Sequence, residues 1–222
     1  LTEHIINAKP RYFYAVEIDT ILVEKLNERF REHVEIIQDD ILKFDFSAMM
    51  TKNHASVKVI GNLPYHITSP IIFKLLDKYK KIDSAVLMIQ KEVARRIASG
   101  HGNKEYGILS VITQAYSRVE YLFEVKRGNF TPAPDVDSAV IRFSFFNRPE
   151  NIENEELFRK IVRQSFNYRR KILGNSLGRI FDKSIVYSAL SDYLDQRPEQ
   201  LAVEDFKILS NSLNQVLRRP NG

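Results

Sequence analysis

The chain has 222 residues, 44% of them hydrophobic and none of them cysteine; it can bury a sizeable core in one domain or in a larger domain with a small appendage, and disulfides and thiolate metal sites are excluded. No run approaches the roughly 18 apolar residues of a membrane-spanning helix, and the first residues lack the charged-then-apolar order of a signal peptide, so the cytoplasm is the expected compartment. A formal charge of +5 points to an anionic partner, with nucleic acid or an acidic membrane surface as the usual candidates.

In chain order, LTEHIINAKP reads as a helix, RYFYAVEID as a strand rich in β-branched and aromatic residues, TILVEKLNERF as a helix and VEIIQDD as a strand again. SVKVIGN, SPIIFKLLDKYKK, SAVLMIQ and KEVARRIAS continue the alternation, which predicts βαβ units and an α/β fold with a mostly parallel sheet covered on both faces. After the loop GHGNKEYG, ILSVITQAYS reads as a helix, and YLFEV and SAVIRFSFF as two last strands able to pair as an antiparallel edge. Around Asn147 to Asn154 the composition turns polar, with Pro149 and several acidic residues, and no strand-like run of note follows. We therefore expect an α/β domain over 1–148 and a small all-helical domain over 149–222.

In open α/β sheets the ligand site lies outside the carboxyl ends of the strands, so the residues just after each strand carry the candidate chemistry. Glu17 and Asp19 close the first strand; a carboxylate there can accept both hydroxyl protons of a ribose, although Asp19 also suits a helix N-cap. Asp39 and Asp40 close the second, where either could accept from an exocyclic amine or simply stay solvated. GNLPY is the stronger signal, because Pro64 fixes its own φ and restricts Leu63, holding the Asn62 amide and the Leu63 carbonyl in a stiff turn. Two oxygen acceptors can take both protons of an aromatic amine and localise its lone pair, and Tyr65 can stack on the base that carries it. An ordinary strand-to-helix turn with a core tyrosine is the competing reading. Phe130, at the entrance of the proline-stiffened loop NFTPAPDVDS, could supply a second aromatic face around a base swung out of its stack, or merely plug the core.

From Leu157 to Lys183 there are eight Lys or Arg against one Asp. At 100 degrees per residue, Arg159, Arg163 and Arg170 fall within about 40 degrees of one another, opposite Leu157, Ile161, Tyr168 and Ile172. With Arg169 and Lys171, these arginines are the candidate phosphate contacts; a solvated surface face is the alternative. Five histidines are scattered without metal-ligand spacing, so no metal is expected.

GNLPYHITSPIIFKLL, LMIQKEVARRIASG, KEYGILSV, FTPAPDVDSAVIRF and QSFNYRRKILGNSLGRIF, in that order and spacing, resemble the bacterial ribosomal RNA small-subunit adenine dimethyltransferases. The resemblance covers nearly the whole chain, including the helical C-terminal region that separates this family from the related erythromycin-resistance methyltransferases. It implies a Rossmann-like class I methyltransferase sheet, S-adenosylmethionine as cofactor, and methyl transfer to the N6 amines of two adjacent adenosines near the 3′ end of small-subunit ribosomal RNA. Small-subunit ribosomal RNA and the immature small subunit are the implied partners, and a monomer is expected. By resemblance, Glu17 is the ribose-binding acid, Asp40 the carboxylate at the cofactor adenine amine, and the Ile41 backbone lies beside it. Asn62, Leu63, Pro64 and Tyr65 match the catalytic motif, with Asn62 also at the cofactor, and Phe130 matches the aromatic that stacks on the target base.

In that family a glycine-rich loop that wraps the methionine end of the cofactor sits immediately upstream of a segment like LTEHII, with which this sequence begins. The expectation for the 222 residues alone is therefore weakened cofactor binding. Two other readings compete: an assembly factor that grips RNA without catalysis, and an adenine methyltransferase acting on DNA or large-subunit RNA.

Overall fold

The computed structural model describes residues 1–46 and 57–218. His54, and Ser56 at the start of the run SVKVIGN, lie outside the described residues. The chain divides into two compact units, Leu1–His54 and Ala55–Gly222.

In the first unit, α1 (Thr2–Asn7) is followed by β1 (Tyr14–Glu17), α2 (Thr20–Phe30) and β2 (Glu35–Gln38). Asp19 starts α2: its Oδ1 accepts from the backbone N–H of Ile21 at 2.8 Å and of Leu22 at 3.0 Å, satisfying two donors that the first helical turn otherwise leaves open. β1 and β2 pair in parallel from Tyr14 opposite Glu35 to Glu17 opposite Gln38. Both strands therefore end at one edge, with Glu17 on one and Asp39 and Asp40 just beyond the other.

The second unit opens with β3 (Lys58–Asn62), α3 (Thr68–Asp77), β4 (Ser84–Gln90), α4 (Lys91–Ala98), α5 (Ile108–Tyr116), β5 (Ser117–Val125) and β6 (Ser138–Phe145). The strand order is β3-β4-β6-β5, with β3 and β4 parallel and β6 antiparallel to both its neighbours. Three of the four strands thus run one way. The antiparallel strand is the inner member of the last pair, and β5 takes the edge. The burial pattern gives the reason: Ala139, Ile141 and Phe143 of β6 are as buried as Ala85, Leu87 and Ile89 of β4, whereas β5 exposes Leu122 and Phe123 beside an irregularity in its register.

α6 (Glu155–Asn167), α7 (Leu173–Leu177), α8 (Lys183–Ala189) and α9 (Val203–Arg218) follow. The Asn154 carboxamide caps α6 by accepting from Leu157 N–H at 3.0 Å, with Glu155 and Glu156 in the first turn. Phe158, Ile161, Val162, Phe206, Leu209 and Leu213 are fully buried, each contributing roughly 1.5–3 kcal/mol. α5 packs against both α4 and α6, and Val111, Ile112, Ala115 and Tyr116 are all fully buried.

The periodic reading of the basic segment holds only to Asn167. Tyr168 leaves the helix at φ −117° and ψ 41°, and Lys171 N–H bonds back to the Tyr168 carbonyl at 2.7 Å, so Tyr168 to Lys171 form a turn. Arg170 does not continue the helical face of Arg159 and Arg163. Tyr168 is not part of the buried stripe either: it is exposed, with the Arg179 guanidinium 4.5 Å above its ring centroid.

Candidate functional site

At the carboxyl edge of the parallel pair in the first unit, the Glu17 carboxylate is folded onto its own chain. Its Oε1 accepts from Ile18 N–H at 2.8 Å and Asp19 N–H at 3.0 Å, which fixes the side chain at the strand end. The Glu17 carbonyl accepts from Asp39 N–H at 3.1 Å, so the two strand ends are joined directly. Asp39 Oδ1 accepts from Asp40 N–H at 2.7 Å, and Asp40 Oδ1 from Leu42 N–H at 2.9 Å, with half-buried Ile41 between them. Both carboxylates of this turn are oriented by backbone donors, and Ile18, 65% exposed, adds an apolar surface next to Glu17. Sequence reasoning took Ile18 only as part of a strand.

In the second unit, β3 brings Asn62 opposite Met88 of β4, and Leu63 N–H bonds to the Met88 carbonyl at 3.2 Å. Pro64 then sits at φ −55°, a value its ring enforces, with ψ 135°, and leads into one helical turn over Tyr65–Ile67 and on to α3. The Asn62 side chain is exposed, and neither its carboxamide nor the Leu63 carbonyl has a partner among the described residues. Two neutral oxygen acceptors are therefore displayed on a short, stiff turn. Gly61 makes room for that turn: a Cβ at this position would lie 3.0 Å from Leu63 Cδ2 and 3.3 Å from Leu87 Cδ2.

Tyr65 is tied to the start of β6, on the other side of β4. Its hydroxyl is 2.9 Å from the Oγ of buried Ser138, the first residue of β6, and 3.4 Å from the Val136 carbonyl. Val136 belongs to the same loop as Phe130 and Ser138 directly follows that loop, so the structure joins the NLPY turn to the loop and its strand through one phenol. Phe130 is half-buried after a helical turn over Arg127–Asn129. The loop is held by Asp137, whose carboxylate accepts from Arg127 N–H at 3.0 Å and from Lys126 Nζ at 3.1 Å. Glu124 gathers Lys91 at 2.7 Å, Arg95 at 3.2 Å and Lys126 at 3.6 Å. The Arg127 N–H bond, and Lys126 beside it, hold the Asp137 carboxyl below its ordinary range; Lys91 does the same for Glu124. Sequence reasoning missed Ser138 and Glu124, because a serine or glutamate on a strand carries no local sign of its partner.

The five basic candidates are not equivalent. Arg159 is only 18% exposed, and its guanidinium donates to Asp77, to the Leu76 carbonyl and to the Tyr116 hydroxyl. Its donors are taken up by groups of the protein itself, exposed Asp77 among them, and are not displayed as a solvent-facing stripe. Arg163 is exposed and lies 5.3 Å from the Phe73 ring centroid. Arg169 is half-buried and donates to the Asn103 carbonyl at 3.0 Å, whereas Arg170 and Lys171 are exposed. Among the described residues no group of three or more His, Asp or Glu could hold a metal ion, and no helix is long and apolar enough to cross a membrane.

The chain is similar to known proteins over nearly its whole length. The chain is 43% identical over 219 residues to "Ribosomal RNA small subunit methyltransferase A" of Phocaeicola vulgatus, covering 98% of this chain and 77% of that protein. It is 43% identical over 214 residues to the protein of the same name from Chlorobium phaeobacteroides, covering 96% and 78%. Among solved structures, a dimethyladenosine transferase from Plasmodium falciparum superimposes with a TM-score of 0.83 at 23% identity, over 97% of this chain and 87% of that one. The 23S rRNA methyltransferase ErmE does so with a TM-score of 0.72 at 25% identity, over 96% and 86%. The α/β fold is therefore that of Rossmann-like RNA methyltransferases. The family model described as "Ribosomal RNA adenine dimethylase" matches residues 1–215, and the chain belongs to that family.

Proposed function

We propose that this protein uses S-adenosylmethionine to dimethylate the N6 amines of two adjacent adenosines in small-subunit ribosomal RNA, as a step in maturation of the small subunit. The observation that carries the reading is the pair of unpartnered acceptors, the Asn62 carboxamide and the Leu63 carbonyl, on a turn stiffened by Pro64. An adenine amine conjugates its lone pair into the ring and is a poor nucleophile. Accepting its two N–H bonds at Asn62 and Leu63 draws the nitrogen towards a pyramidal geometry and frees the lone pair for attack. Neither acceptor is a strong base, and the proton lost with each methylation passes to the solvent that reaches exposed Asn62. Tyr65 and Phe130 hold the base between aromatic faces once it has left its stack.

The donor's adenosine end fits the first unit: Glu17 for the ribose hydroxyls, Asp40 and the Ile41 backbone for the adenine edge, and exposed Ile18 for its face. When bound, the cofactor supplies an electrophilic methyl group. We assign RNA binding to the helical region 149–222 through Arg163, Arg169, Arg170 and Lys171, acting in the cytoplasm as a monomer on the immature subunit. Relatives at 43% identity bear a small-subunit name, which favours that substrate over large-subunit RNA.

The test is Asn62→Ala in the full-length protein, with unmethylated small subunits and radiolabelled S-adenosylmethionine. We expect methyl transfer to fall at least 100-fold with subunit binding nearly unchanged. Normal turnover would refute the mechanism. Transfer to large-subunit RNA instead would refute the substrate.

A further inference from the structure

We infer that Ser138 is a positioning residue for methyl transfer, setting the orientation of the Tyr65 ring through the phenol and joining the NLPY turn to the loop that carries Phe130. The inference rests on the adenine dimethyltransferase reading above and names a residue outside its catalytic motif.

Three observations converge on Ser138. Its side chain is 1% exposed, and its Oγ lies 2.9 Å from the Tyr65 hydroxyl, a direct bond across 73 residues of chain. It opens β6 opposite Gln90, the last residue of β4, so its backbone is fixed by the inner strands of the sheet. Its neighbour Asp137 holds both other segments of this edge: the Asp137 carbonyl accepts from Lys91 N–H at 3.0 Å at the start of α4, and its carboxylate accepts from Arg127 N–H at 3.0 Å in the Phe130 loop. The dipeptide Asp137–Ser138 thus touches the NLPY turn, the β4–α4 junction and the loop of Phe130.

A tyrosine ring that serves as a stacking face needs its rotation fixed, and Pro64 constrains only the backbone before it. The hydroxyl is the one polar atom of the ring, and bonding it to a buried group on another strand fixes both side-chain torsions. The same bond leaves the phenol engaged as a tether, so Tyr65 acts through its ring face and not as an acid or base.

The experiment compares Tyr65→Phe, Ser138→Ala, the double variant and Ser138→Thr in the full-length protein on unmethylated small subunits. We expect Ser138→Ala and Tyr65→Phe each to lower kcat about tenfold with KM for the subunit changed less than twofold. The double variant should be no slower than either single one, and Ser138→Thr should recover most of the rate because it keeps the hydroxyl. Base placement is read separately, from the fluorescence of a 2-aminopurine substituted at the target adenosine in a hairpin RNA. Ser138→Ala should leave it less quenched than the wild type does. Unchanged kcat in Ser138→Ala, or additive losses in the double variant, would overturn the inference. A melting temperature that falls with kcat intact would also overturn it, since the bond would then be structural only. If the wild-type protein transfers no methyl group to the subunit, the functional reading itself fails, which is a distinguishable result.

Discussion

Arg159 donates from Nε to the Tyr116 hydroxyl at 3.3 Å while its guanidinium carbon lies 4.8 Å from the centroid of the same ring. The pair connects α6 to α5, and burial pushes the Tyr116 phenol up to about 12 against the opposing pull of the Arg159 cation. Arg159→Ala leaves a fully buried hydroxyl without its donor, and should cost about 1–3 kcal/mol of stability. The slope of RNA affinity against salt should stay as in the wild type. Chemical denaturation alongside binding at several ionic strengths checks both halves.

Arg163 and Arg170 should behave in the opposite way. Both are exposed, and changing each to Glu should weaken subunit binding and reduce the dependence of log affinity on log salt by roughly one for each lost phosphate contact. Stability should change by less than about 0.5 kcal/mol per site, as is usual for exposed positions. Equal salt slopes in variant and wild type would remove these residues from the RNA interface.

Gly61 faces Leu63 and Leu87 too closely for a side chain to enter unnoticed. Gly61→Val should push Leu63 out of place and cost roughly 1–3 kcal/mol through overpacking. It should also reduce methyl transfer, because the Leu63 carbonyl moves with its side chain. Gly61→Ala, with a smaller intrusion, should fall between the two in both melting temperature and turnover.

The Phe130 loop should show a defined acid limit. Asp137 and Glu124 have carboxyl groups held below their ordinary range by Arg127 N–H and Lys91 respectively, so the folded loop binds fewer protons than the unfolded chain. Their stabilising contribution is fully present above the ordinary carboxylate pKa and is lost as pH falls through the lowered folded values. Hydrogen exchange across residues 126–137 should be independent of protonation state from neutral pH to about 5 and lose protection below about 4. Asp137→Asn should remove the Asp137 share of this acid step and leave that of Glu124 with Lys91.

Much of the architecture was readable from periodicity. TILVEKLNERF and SAVLMIQ coincide with α2 and β4 because one has a clear helical spacing and the other is a short apolar run ended by a polar residue. NLPY was readable as a stiff display of acceptors because proline dictates the local backbone. The role of Arg159 was not, since Asp77 and Tyr116 lie 82 and 43 residues away and only packing brings them together. The end of α6 was equally hidden: NYRRK contains neither glycine nor proline, and the helix stops where the following segment must turn to bury Leu173 and Leu177.

The inner position of β6 also bears on how the chain assembles as it is synthesised. β3, β4 and β5 are complete by Val125, yet β4 has no neighbour on its second side until Ser138 to Phe145 have been added. Until then the hydrogen-bonding groups of an apolar strand stand open, an invitation to mispairing. The last strand to be made is the wedge that closes the sheet. Because it begins with Ser138, the strand insertion that completes this sheet also brings the partner of Tyr65 into place.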